Sequence, residues 1–64
     1  MQVSAEYNSS SCMAYICELD KYYTIKCTLK CFTRIVLAFQ EVYGKCNYTA
    51  VGDNGVFVMF GGAL

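Results

Sequence analysis

The sequence predicts an α+β fold: a four-stranded antiparallel sheet with one helix packed on one face, in the order ββαββ. Three observations predict it. Tyr23 to Cys31 alternates apolar and polar residues without a break, the period-2 pattern of a half-buried strand. Between Thr33 and Gly44, the residues Ile35, Val36, Phe39, Val42 and Tyr43 fall at helical spacing. Asp53-Asn54-Gly55 then separates two apolar runs, a short-range hairpin signal.

Residues 1–11 end in Asn8-Ser9-Ser10-Ser11 and read as a flexible arm, leaving 12–64 as a single α+β domain. The first strand runs from Cys12 to Leu19, and Asp20-Lys21 supplies the first turn. A loop centred on Lys21 would pair Leu19 with Tyr23, Cys17 with Ile25, Tyr15 with Cys27 and Met13 with Leu29. That register collects one wholly apolar face, which burial favours. Thr33 is an acceptable N-cap for the helix, and Gly44 suits the left-handed residue after it. The second hairpin runs from Lys45 to Val51 and from Val56 to Phe60. A two-residue Asn54-Gly55 turn would pair Asp53 with Val56, Val51 with Val58 and Thr49 with Phe60. Gly61 to Leu64 read as a short flexible tail.

Composition narrows the function classes. The chain has 64 residues, 56% of them apolar and 16% charged, which argues against intrinsic disorder. So short a chain leaves little room for a deep catalytic cleft beside a core. Five Lys and Arg balance five Asp and Glu, so the basic footprint of a nucleic-acid binder is missing. The longest apolar run, Ile35 to Phe39, is far short of the roughly 20 residues that span a bilayer. Residues 1–8 have neither a basic nor an apolar region of the signal-peptide kind. The expected location is cytoplasmic, with secretion as the alternative.

No constellation carries recognisable chemistry. The chain has no His to act as a base for a nucleophilic cysteine. Glu6, Glu18, Asp20, Glu41 and Asp53 are scattered, so no pair is set up for acid–base work. Cys12, Cys17, Cys27 and Cys31 loosely resemble a four-thiolate zinc site. On a continuous strand, however, Cys27 and Cys31 would stand about 13 Å apart at ~3.3 Å per residue, too far for one ion or one disulfide. A disulfide from Cys12 or Cys17 to the second strand stays open. The favoured reading is free thiols acting as small apolar residues, with no catalytic, cofactor or metal residues.

The run Tyr23-Thr24-Ile25-Lys26-Cys27, then Thr33 to Gly44, then a terminal hairpin, resembles the plan of several small phage-encoded inhibitors. These include host-takeover proteins that bind RNA polymerase and some anti-CRISPR proteins. The likeness is one of pattern over residues 13–60, contains no specific motif and transfers no functional residue. It implies stoichiometric binding to a larger host protein, without catalysis, in the cytoplasm of the host cell.

Both faces of Val56 to Phe60 are apolar, and one helix covers only one face of a sheet. The uncovered face, drawn from Ile16, Tyr48, Phe57 and Met59, is therefore expected to contact a protein partner or a second copy of the chain. The expected function is a non-catalytic protein-binding module acting as an inhibitor. A small secreted disulfide-stabilised factor and a nucleic-acid-binding sheet domain are the alternatives. Which sheet face the helix covers is left open.

Overall fold

Six hydrogen-bonded elements make up the chain in a computed structural model that describes residues 3–61. They are β1 (Val3–Asn8), β2 (Met13–Glu18), β3 (Lys21–Lys26), α1 (Leu29–Tyr43), β4 (Cys46–Gly52) and β5 (Gly55–Phe60). The five strands form one antiparallel sheet in the order β3-β2-β1-β5-β4. The α+β class is as expected, but the sheet has five strands rather than four.

The extra strand is β1, in the stretch expected to be a loose arm. It lies at the centre of the sheet, between β2 and β5. Val3, Ala5 and Tyr7 point into the core, and Ala5 is completely buried. Ser4, Glu6 and Asn8 point the other way, so β1 carries its own period-2 alternation. Asn8 ends the strand: its side-chain oxygen accepts hydrogen bonds from the backbone N–H groups of Ser10 and Ser11.

The helix begins at Leu29, not after Thr33. Thr28 is the true N-cap, in extended conformation, its hydroxyl accepting from the Cys31 N–H at 3.2 Å. Thr33 lies inside the helix, where its hydroxyl donates to the Leu29 carbonyl. Gly44 closes the helix where expected, at positive φ (+92°) but with ψ −179°, an extended glycine conformation and not the left-handed helical one, its N–H bonded to the Gln40 carbonyl. The buried stripe is Phe32, Ile35, Val36, Phe39 and Tyr43, while Val42 is 71% exposed. Thr28→Ala is expected to lower stability by about 1 kcal/mol, with Thr28→Ser retaining most of it and Thr33→Ala near neutral. Chemical denaturation of the three variants checks this; a Thr33→Ala loss larger than the Thr28→Ala loss would place the cap at Thr33.

The register of the first hairpin also differs. Leu19-Asp20 is the two-residue loop, with Leu19 at φ +60°, so Glu18 pairs with Lys21 and Tyr15 with Thr24. This turns β2 over: Ala14 and Ile16 enter the core, and Met13, Tyr15 and Cys17 face away from the helix. Glu18 at the strand end is tolerated on the helix side because the Tyr43 hydroxyl donates to its carboxylate. In the second hairpin Asp53-Asn54 is the loop and Gly52 pairs with Gly55. This is a slip of two residues from the expected register, so every side chain between Tyr48 and Val51 keeps its expected face. A bulge between Cys46 and Tyr48 turns Cys46 towards the core.

The helix lies across β1 and β5. Its stripe meets Val3, Ala5, Tyr7, Ala14, Ile16, Val58 and Phe60 in one cluster. Tyr7 stacks obliquely on Phe32, and Phe39 packs edge-on against both Tyr43 and Phe60. The expected tail residues 62–64 lie outside the described residues. Among the described residues no helix is long and apolar enough to cross a membrane.

Candidate functional site: the uncovered sheet face

Since α1 occupies one face of the sheet, the alternate residues of all five strands make up the other. The pairing places them in rows. One row runs Tyr22, Cys17, Ser4, Met59, Tyr48; the next runs Thr24, Tyr15, Glu6, Phe57, Ala50. The third runs Lys26, Met13, Asn8, Gly55, Gly52. Among the described residues no element is packed over these rows, and Tyr22, Tyr48 and Tyr15 are 79%, 55% and 43% exposed.

Three of the four expected contact residues stand on this face. Tyr48 and Met59 are cross-strand partners, and Tyr48 meets the Phe57 ring edge-on at 6.2 Å between centroids. Ile16 does not join them. It lies beneath the helix at 3% exposure, because the Leu19-Asp20 loop turns its strand over. Sequence reasoning missed Tyr15 and Glu6. The expected hairpin register puts Tyr15 in the core, and the arm reading leaves Glu6 off the sheet. The alternation of Val3 to Asn8 is the signal that places Glu6 on this face.

Glu6 stands at the middle of the middle row, with Tyr15 directly opposite on one side and Phe57 on the other. A shallow hollow of about 210 Å³ lies against it, lined by Ser4, Tyr15, Cys17, Tyr22 and Phe57 among others. Drug-sized ligands occupy about 300–1,000 Å³, so this hollow suits a single side chain better than a cofactor. Lys26, at the β3 end of the third row, is the one cation in these rows among the described residues.

The cysteines are free thiols. With the helix beginning at Leu29, Cys27 and Cys31 flank its first turn and are no longer held apart by a strand. Cys27 is half-buried against the core, and burial, followed by the neighbouring Cys31 and Cys12, pushes its thiol above the ordinary value. Its carbonyl accepts from the Tyr7 hydroxyl at 3.0 Å, and its N–H donates to the Cys12 carbonyl. These bonds tie β1, β2 and the helix entry together. Among the described residues no group of three or more His, Cys, Asp or Glu is placed to hold a metal ion. The Tyr43 phenol is raised above its ordinary range, mainly by its hydrogen bond to Glu18 and then by burial.

Comparison with protein-family models, with curated proteins and with solved structures finds no match for this chain.

Proposed function

We propose that the chain is a non-catalytic protein-binding module that acts by covering a surface of a larger protein, as a stoichiometric inhibitor would. One observation carries the reading: the sheet face away from the helix presents Tyr15, Tyr22, Tyr48, Phe57 and Met59, with no cover from any element among the described residues. Aromatic and Met side chains are enriched at the centres of protein interfaces, and exposed apolar patches of this kind mark partner sites. The nucleic-acid alternative is weakened because the central charge of the face is a carboxylate, which repels phosphate. The secreted disulfide-stabilised alternative is weakened by five free thiols.

The expected result of Tyr48→Ala and Phe57→Ala is loss of partner capture from lysate of the source cells, commonly by more than about 1 kcal/mol each, with little change in melting temperature. Phe60→Ala, on the core side, is expected to do the reverse and unfold the domain. Capture that survives both open-face variants while they remain folded would move the binding surface elsewhere. Sedimentation of the purified chain separates a second copy from a foreign partner.

A further inference from the structure

We infer that the partner seats a basic side chain, arginine or lysine, on Glu6 between Tyr15 and Phe57. This rests on the binding-face reading above and gives it a chemistry. Glu6 is the central charge of an otherwise apolar and aromatic region, and its row and the Ser4 row hold no cation. A partner that covered Tyr15, Tyr48, Phe57 and Met59 with apolar groups alone would strip Glu6 of water and leave it unpaired. An unpaired buried carboxylate is strongly unfavourable, so a tight partner must bring a cation to that point.

Lys26 does not serve. It lies two strands and two residues away, at ~4.8 Å per strand and ~3.3 Å per residue, on the edge of the sheet. The rings beside Glu6 favour the same occupant. Cross-strand neighbours hold their Cβ atoms about 4.5–5.5 Å apart, so a cation bonded to the Glu6 carboxylate falls within reach of the faces or edges of both Tyr15 and Phe57. The hollow beside Glu6 has room for one such side chain. The same charge counts against a second copy docking face to face. A two-fold axis through the middle of this face would bring Glu6 against its own symmetry mate. Among the described residues a second copy offers this face only Lys26, at the sheet edge and outside the aromatic rows, so the occupant inferred is a different protein, and Glu6 selects for the basic residue it carries.

The test is selection of a random dodecapeptide library on the folded chain, followed by titration of the selected peptides. The expected peptides share an Arg or Lys. Replacing it with citrulline or norleucine weakens binding at least tenfold, and Glu6→Gln removes that difference. Phe57→Ala weakens the same peptides. Because the peptide arm needs no protein variant, a folding defect in Glu6→Gln does not blunt the result. Peptides that depend on Phe57 but carry no basic residue, or ignore Glu6→Gln, overturn the cation seat and leave the binding face standing. Peptides indifferent to both positions, or a selection without binders, overturn the face as well.

Discussion

Gly55→Val is expected to remove a large part of the stability of the domain. A Cβ built on Gly55 runs into the backbone carbonyl oxygen of Tyr7, on the neighbouring central strand, and also crowds the Tyr7 carbonyl carbon at 3.0 Å. Backbone on β1 cannot turn aside as a long side chain would, because Tyr7 is fixed by its ring in the core and by its hydroxyl on Cys27. Overpacking of this kind costs about 1–3 kcal/mol and occasionally more, and a rigid obstacle places this case at the upper end. For a chain of 64 residues the whole folding free energy is about 3–10 kcal/mol at ~0.05–0.15 kcal/mol per residue. The reason differs from the one the sequence offers. Gly55 is the first residue of β5, opposite Gly52, and not the second residue of a tight turn. The two explanations separate experimentally. A clash with Tyr7 makes Gly55→Ala nearly as damaging as Gly55→Val, since the first carbon is the one that collides. Urea denaturation with Gly55→Ala close to wild type would show that β1 does not approach so near.

The second large effect is expected at Phe32. Its ring is 2% exposed and packs on Tyr7 at 5.3 Å between centroids, where the first turn of α1 meets the central strand. Removal of a buried Phe ring costs about 3–5 kcal/mol, from lost transfer energy and the cavity left behind. With Thr28 as N-cap, Cys27 and Phe32 also occupy the two positions of a hydrophobic staple, so the loss loosens the entry of the helix as well as the core. Phe32→Leu should recover a large part of the loss. Leu37→Ala, on the outer side of the helix at 55% exposure, should stay within about 0.5 kcal/mol of wild type. A Phe32→Ala midpoint close to that of Leu37→Ala would mean that the helix is rotated away from this stripe.

Much of this architecture was legible, and the misses share one physical origin. Gly44 as the helix end, the stripe of Ile35, Val36, Phe39 and Tyr43, though not Val42, and the two faces of Tyr48 to Phe60 are local signals that burial reinforces, and these are realised. Cys27-Thr28-Leu29-Lys30-Cys31 happens to extend the alternation of β3, and period 2 over so few residues does not distinguish a strand from a helix entry. Phe32 was the arbiter, since it falls on the same helical stripe as Ile35, Val36 and Phe39. The misplaced helix start made the second strand too long. That allowed a register with Leu29 paired to Met13, which put Tyr15 in the core and Ile16 outside. Val3 to Asn8 showed strand alternation, but one of its two neighbours, β5, lies at the far end of the described chain. Partners supplied by the fold are not written in local pattern. The open face was legible at Tyr48, Phe57 and Met59 for the converse reason: two apolar faces on one strand cannot both be covered by one helix.

The central place of β1 bears on how the chain is made. Among the strands of this sheet, Val3–Asn8 leaves the ribosome first and Gly55–Phe60, its neighbour, last. The β2–β3 hairpin can form during synthesis, but β1 must wait, one edge unpaired and its apolar side waiting for Val58 and Phe60. Pairing of such distant segments is the slow part of folding, because the intervening chain must be closed before any contact rewards it. At about 5–20 residues per second the wait lasts seconds, during which an unpaired edge invites other strands. Closure of the sheet therefore waits on its last strand: a nascent chain stalled before β5 holds an open sheet, and the arrival of one strand seals β1 and gives β4 its partner.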